Sequence, residues 1–111
     1  MIGLYKYKIT IKWTANNGVG TISYLSYERS HTLCIDGKQD IWCSSDPAFR
    51  SGKTKHNPED LFLASISICH MLWYLLLCGD NGVIVVDYID NAIGSIQVSQ
   101  HGSGHYAEAS L

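Results

Sequence analysis

One segment, residues 57–78 with the sequence NPEDLFLASISICHMLWYLLLC, limits the folds open to this chain more than any other. Asn57 is a favoured helix N-cap, and Pro58 suits the first helical position. Two carboxylates follow in the first turn, where the helix dipole attracts negative charge. The rest of the segment is almost wholly apolar, and Gly79 and Gly82 then favour the turn that ends a helix. The pattern predicts one long helix.

A helix that is apolar on all faces lies either in a protein core or in a bilayer. The apolar run from Leu61 to Cys78 has 18 residues, at the short end of the roughly 17–25 that span a membrane. Its capped start and polar flanks favour a core helix, and a membrane-associated small protein stays open as an alternative. So much apolar surface in a chain of 111 residues also predicts a homodimer in which a second subunit covers part of the helix.

The remaining sequence has the patterns of strands and turns. Residues 5–13 alternate strictly between apolar or aromatic and polar side chains, which predicts a half-buried strand. A turn is expected at 16–20, and further strands are expected at 21–28, 31–36, 40–43, 83–89, 93–100 and from 106 onward. A sheet, one central helix and further strands make an α+β fold, predicted as a single domain over 1–111.

The composition of the chain argues against several classes of function. The net charge is −2, and Lys and Arg are scattered rather than gathered in a stripe, so no nucleic-acid partner is expected. The first residues lack a basic start and a long apolar core, which favours a cytoplasmic protein. Four cysteines without a CxxC pair and five histidines without HExxH predict neither a metal site nor a disulfide scaffold. No cofactor is predicted.

Cys69 lies near the middle of the predicted helix, where an inert buried thiol is the ordinary interpretation. The segment running from SSDPAFR to NPEDLFLASISICH, however, resembles the OsmC/Ohr family of bacterial thiol peroxidases, with Cys69 at the position of their peroxide-reacting cysteine. The resemblance implies an OsmC-like fold: an N-terminal antiparallel sheet, a central buried helix and further strands, in an intertwined homodimer. Family members continue with a second long helix that carries a resolving cysteine, so this chain is C-terminally short relative to the family.

A peroxide-reducing cysteine must be a thiolate, and Cys69 lies about three turns into the helix, beyond the reach of its dipole. A cation is therefore required, and arginine suits the task because its fork serves a thiolate and a carboxylate together. In the resembled family a glutamate of the NPE motif, here Glu59, orients that arginine. Arg50 lies near the arginine position of the OsmC branch, and Arg29 is the reserve candidate. The Ohr branch takes its arginine from the first hairpin turn, where NNGVG here has none.

Helix geometry separates two of these residues. Cys69 follows Glu59 by ten positions, which is about 15 Å along a helix axis. Within one continuous helix they do not share a site. We therefore expect Glu59 and its arginine to act on Cys69 of the partner subunit, which makes dimerisation a condition for catalysis.

The resemblance implies reduction of organic hydroperoxides to alcohols in oxidative-stress defence, with a dithiol such as a lipoylated protein as the reductant. Cys78 lies roughly 13 Å from Cys69 along the same helix, too far for a disulfide within one chain. Cys43 and a one-cysteine cycle with an external thiol remain open as ways to resolve Cys69. The alternative function is a non-catalytic OsmC-fold protein that lacks the resolving cysteine.

Overall fold

The computed structural model describes residues 3–45, 54–98 and 104–111. It has two compact units, Met1–Pro58 and Glu59–Leu111. The elements, in chain order, are β1 (Thr10–Trp13), β2 (His31–Cys34), β3 (Ile41–Cys43), α1 (Pro58–Asp80), β4 (Ile93–Val98) and β5 (Gly104–Ser110). The predicted mixture of antiparallel sheet and one long helix is confirmed. The single domain over 1–111 stays a prediction.

The first unit contains an antiparallel sheet in the order β1-β2-β3. Leu33 lies at its centre, opposite Ile11 on one side and Ile41 on the other. The turn between β2 and β3 places Gly37 at a φ of 79°, which glycine adopts without strain, and Lys38 N donates to Ile35 O at 3.0 Å. The strands predicted over 31–36 and 40–43 are therefore confirmed, each slightly shorter than expected.

The strand predicted over residues 5–13 was wrong in its extent. Only Thr10–Trp13 pairs with β2, because β2 is four residues long and offers partners from His31 to Cys34. Residues 4–9 form no strand, and their alternating aromatic and apolar face is exposed within one chain. Alternation identifies side chains that share a face, but it does not supply the neighbouring strand that a ladder needs.

The returning strand predicted over 21–28 was wrong, although the turn predicted at 16–20 is confirmed. Asn16 Oδ1 accepts hydrogen bonds from Gly18 N at 3.0 Å and Gly20 N at 2.9 Å. The Ser26 hydroxyl lies 2.9 Å from Gly20 O and 2.7 Å from Ser23 O. Short polar side chains therefore satisfy the backbone locally and replace a ladder. A single bridge between residues 16 and 27 remains.

Helix α1 begins and ends close to the predicted residues. Asn57 precedes it and is buried, in keeping with a cap. At the other end Val83 N donates to Cys78 O at 2.8 Å and Gly82 N to Gly79 O at 3.4 Å. Gly82 has a φ of 72°. These bonds form a Schellman motif, which satisfies carbonyls that the end of a helix leaves open.

The side chains of α1 are more exposed than predicted, since none of them is buried within one chain. The predicted burial of this helix is therefore not found among residues 3–45, 54–98 and 104–111, and its cover by a second subunit stays a prediction. By length and composition α1 is able to cross a membrane, a test that core helices of soluble proteins also pass.

The buried strand predicted over 83–89 was also wrong. Residues 83–92 form no strand, and Ile84 and Val86 are 87% and 92% exposed. No strand among the described residues pairs with this segment. It contacts α1 along one side instead, where the Tyr88 ring lies 5.9 Å from that of Tyr74.

The chain then forms the antiparallel pair β4–β5, with Ile93 opposite Ser110 and a register irregularity between Ser95 and Ile96. The strand predicted over 93–100 is confirmed for its described part, and so is the strand from residue 106.

Candidate functional site

Cys69 lies in the middle of α1, and it is exposed to solvent. Side chains three, four and seven positions away share its side of the helix. Leu72 and Trp73 are 57% and 60% exposed, and the others are similarly open to solvent. We call this surface the Cys69 face; its members are Phe62, Ser65, Cys69, Leu72, Trp73 and Leu76. A reactive thiol here is accessible and lies among apolar side chains.

The opposite side of α1 carries a stripe of partly buried side chains that includes Leu63, Ser67 and Met71. The Ser67 hydroxyl donates a hydrogen bond of 2.6 Å to Asp90 Oδ2 in the segment after the helix. Around this pair lies an open recess of about 320 Å³, lined by Asp60, Leu63, Ala64, Ser67, Ile68, Asp90 and Ala92.

Sequence reasoning missed the pairing of Ser67 with Asp90. The available signal was a serine inside an otherwise apolar helix, because a polar group at a packed position needs a partner. Which partner it finds depends on how the chain returns after the helix, and the sequence pattern did not show this.

Glu59 lies in the first turn of α1, partly buried, with its Oε2 oxygen shielded from solvent. Helix α1 is continuous from Pro58 to Asp80, so about 15 Å of helix separates Glu59 from Cys69. The structure therefore does not bring these two predicted site residues together within one helix. Arg50 lies outside the described residues, and its pairing with Glu59 stays a prediction.

Arg29, the reserve candidate for the activating cation, is held within its own loop. Its guanidinium lies 4.3 Å from the ring centroid of Tyr24 and 4.2 Å from that of Tyr27, and it donates to Tyr27 O at 3.2 Å. Such contacts between a cation and aromatic faces stabilise the arginine where it lies. Recruiting Arg29 to a thiolate requires breaking these contacts, which weakens Arg29 as a candidate for that role.

Cys43, the open candidate for a resolving thiol, is only 1% exposed. The backbone closes over it, with Ser44 N donating to His56 O at 2.7 Å and His56 N donating to Trp42 O at 3.3 Å. The Cys43 thiol lies 3.5 Å from Ile41 O in its own strand. A disulfide between Cys43 and Cys69 therefore requires this closure to open first.

The other two cysteines are partly buried. Burial, followed by the charge and hydrogen bond of the Asp40 carboxylate, raises the pKa of the Cys34 thiol, while Lys12 opposes the shift. Cys34 is therefore held in its less reactive thiol form. Cys78 hydrogen-bonds the hydroxyl of Tyr74, and this bond is the main cause of a raised pKa of the Tyr74 phenol.

Within residues 3–45, 54–98 and 104–111, no three His, Cys, Asp or Glu side chains gather as a metal site. The chemistry that the described residues offer is that of an exposed thiol on an apolar helix face. A thiolate at Cys69 would be a nucleophile for a soft, apolar electrophile.

No protein-family model and no curated protein sequence matches this chain. Among solved structures, the chain is similar to an OsmC-like protein of unknown function from Vibrio cholerae O1 biovar eltor strain N16961, with a TM-score of 0.81 and 25% sequence identity. The match covers 96% of this chain and 71% of that chain. It supports a soluble protein, and it identifies a fold without assigning an activity.

Proposed function

This chain has the OsmC-like fold, and on that premise we propose that it is a thiol-dependent peroxidase that reduces organic hydroperoxides to alcohols. The observation that supports the proposal is the position of Cys69: an exposed thiol in the middle of α1, among the apolar side chains of the Cys69 face. An apolar surround favours a hydroperoxide with a carbon substituent over hydrogen peroxide, because the substituent gains from leaving water.

The proposed reaction begins with attack of the Cys69 thiolate on the terminal oxygen of the hydroperoxide. The sulfur–oxygen bond forms as the oxygen–oxygen bond breaks, and the leaving alkoxide takes a proton to become the alcohol. Cys69 is oxidised by two electrons to a sulfenic acid. A second thiol then condenses with it and releases water, and a dithiol reductant such as a lipoyl group restores the Cys69 thiol.

The thiolate needs a cation, which we assign to Arg50 oriented by Glu59 of the partner subunit. The distance of about 15 Å along α1 excludes Glu59 of the same helix. The exposed Cys69 face supports a homodimer, because isolated apolar patches of this kind on soluble proteins mark interaction surfaces. A cytoplasmic location, where thiols stay reduced, suits the proposed cycle.

A second function, that of a non-catalytic OsmC-fold protein, is favoured by the placement of the other thiols. Cys43 is buried, and Cys78 is about 13 Å from Cys69 along the same helix. Neither resolves a Cys69 sulfenic acid within one chain in this conformation. A non-catalytic protein would show no rapid oxidation of Cys69.

The two functions are separated by adding one equivalent of cumene hydroperoxide to the reduced protein with a sulfenic-acid trap present. Intact mass should show one trap adduct in the wild type and none in Cys69→Ser. We expect Glu59→Gln to slow trapping by about tenfold, because it removes a charge-assisted bond to the arginine. Asp60→Asn, which alters the neighbouring carboxylate of the same turn, is the matched control. Absence of an adduct in the wild type would establish the non-catalytic alternative.

A further inference from the structure

Helix α1 has apolar residues on every side, so hydrophobicity alone does not decide which side packs against the segment after it. An ordinary amphipathic helix has one apolar stripe, and that stripe fixes its rotation about the helix axis. Here several rotations would bury similar apolar surface. The position of Cys69 on the outer side therefore needs a directional contact to select it.

The hydrogen bond between Ser67 and Asp90 is such a contact. Serines inside helices usually bond a carbonyl of their own preceding turn, as Ser65 does with Phe62 O at 2.6 Å. The Ser67 hydroxyl instead leaves the helix and donates to Asp90 Oδ2 at 2.6 Å, across 23 residues of sequence. A bond to a carboxylate is short, strong and directional, whereas apolar contacts are not directional.

The surroundings of this bond make it selective. Ser67 and Asp90 line the same recess as the apolar side chains of Leu63, Ala64 and Ile68. Both polar residues are partly buried. A rotation that places an apolar side chain opposite Asp90 leaves its carboxylate without this donor, and that costs more than the exchange of one apolar neighbour for another.

Helix geometry connects this bond to the reactive thiol. Cys69 follows Ser67 by two residues, about 200° around the helix at 100° per residue. When Ser67 points to Asp90, Cys69 therefore points away from the segment 83–92 and into the Cys69 face. We propose that Asp90 is a positioning residue for Cys69: through Ser67 it fixes the rotation of α1 that presents the thiol outward. Its consequence for peroxide reduction rests on the function proposed above.

The test measures how fast iodoacetamide alkylates Cys69 at pH 10, where an ordinary thiol is largely a thiolate. The protein is diluted until sedimentation velocity shows the monomer, so that the proposed dimer does not cover the Cys69 face. Peptide mass spectrometry separates Cys69 from the other cysteines. We expect Ser67→Ala and Asp90→Ala each to slow alkylation by about threefold or more, because losing a charge-assisted bond lets α1 populate other rotations. Asp90→Asn keeps an acceptor but loses the charge, and its rate should lie between those of the wild type and Asp90→Ala. The double variant should be no slower than either single one, since both remove the same contact.

A matched control isolates the bond. Asp87→Ala removes a carboxylate of the same segment that accepts from the adjacent Tyr88 N at 2.8 Å. It should alkylate at the wild-type rate, with folding checked by circular dichroism. Where an alanine variant fails to fold, the exchanged pair Ser67→Asp with Asp90→Ser re-forms the bond in reverse. Wild-type alkylation by that pair supports the positioning role, and slow alkylation in its folded form overturns it.

The outcomes for positioning and for peroxidase function are distinct. Alkylation at pH 10 reports access to Cys69 and does not depend on any peroxide chemistry. Slower alkylation of the Ser67 and Asp90 variants, in a protein that never forms a sulfenic acid, supports the positioning role and defeats the peroxidase proposal. Wild-type alkylation rates in folded Ser67→Ala and Asp90→Ala overturn the positioning role even if peroxide oxidises Cys69 rapidly.

Discussion

Cys43 and Cys69 occupy opposite environments in the same chain. Cys43 ends β3 in the first unit and is 1% exposed, enclosed by backbone hydrogen bonds between residues 42–44 and His56. Cys69 lies in the second unit on the most apolar element of the chain, and it is exposed. From the hydrophobicity of the surrounding sequence alone, Cys69 would be expected to be buried and Cys43 to be exposed.

The difference teaches that burial within one chain follows backbone pairing here. The buried side chains of the described residues are Cys43, Ser44 and Asn57, which flank the loop between β3 and α1. Two of the three are polar. The apolar side chains of the Cys69 face, in contrast, are exposed in the described part of the chain. An apolar surface of that kind is stable in water only when something covers it, and a second copy of the chain is the cover that we propose.

The largest effect is expected from a charged residue on the Cys69 face, because that face is the proposed dimer interface. Leu72→Asp should weaken the proposed dimer by about a hundredfold or more, because an unpaired carboxylate is costly to bury. Sedimentation velocity over a range of concentrations measures the change in dimer Kd. Peroxide oxidation of Cys69 should fall with the dimer population, since Glu59 is assigned to the partner subunit.

The matched control for Leu72→Asp is Leu25→Asp, which puts the same charge on another exposed leucine, in the loop between β1 and β2. It should leave the dimer Kd unchanged. A dimer that persists in Leu72→Asp would show that the Cys69 face is not the interface.

A smaller effect should come from opening the closure over Cys43. His56→Pro removes the N–H that donates to Trp42 O, and we expect alkylation of Cys43 under native conditions to rise by about tenfold. Alkylation of Cys69 in the same sample should not change. Peptide mass spectrometry after timed exposure to iodoacetamide provides both rates.

His56→Ala provides the comparison for the proline variant, because it keeps the backbone N–H and removes only an exposed side chain. Cys43 should stay protected in it. Equal protection of Cys43 in the proline and alanine variants would refute the view that this backbone closure buries the thiol.

The smallest effect is expected at Cys78, whose exposure lies between that of Cys43 and that of Cys69. Cys78→Ala should lower the pKa of the Tyr74 phenol toward its ordinary value of 10.0, because the hydrogen bond with Cys78 is the main cause of its rise. A raised pKa means that the folded state keeps this proton better than the unfolded state does. The associated stability is therefore present below the unfolded pKa and is lost as pH rises through the folded pKa. Titration by NMR of ring-labelled tyrosine measures the shift.

Tyr74→Phe assigns the resonance in that titration, and Cys34→Ala serves as the control that should leave the Tyr74 pKa unchanged. A Tyr74 pKa that is the same in wild type and Cys78→Ala would mean that the Cys78 hydrogen bond is not its cause.

The candidate site was predictable in part. Cys69 was selected because the residues around it resemble the OsmC/Ohr family, and its role stays a prediction. Its separation from Glu59 followed from helix geometry once α1 was known to be continuous. The burial of Cys43 and the confinement of Arg29 between two tyrosine rings were not predictable. Both depend on residues that the fold brings together from different segments.

The sequence by itself determined the features whose hydrogen bonds close within a few residues. These are α1 with its glycine end, the turn at Gly37 and the turn that begins at Asn16. The tertiary structure decided which alternating segments become strands. Residues 5–9 and 83–89 have strand-like patterns and find no partner strand in the described part of the chain, whereas β1 has one in β2. The tertiary structure also gave Ser67 its partner in Asp90. The physical reason is the range of the bonds: a helix satisfies its backbone from its own neighbours, while strands and buried polar side chains depend on distant residues.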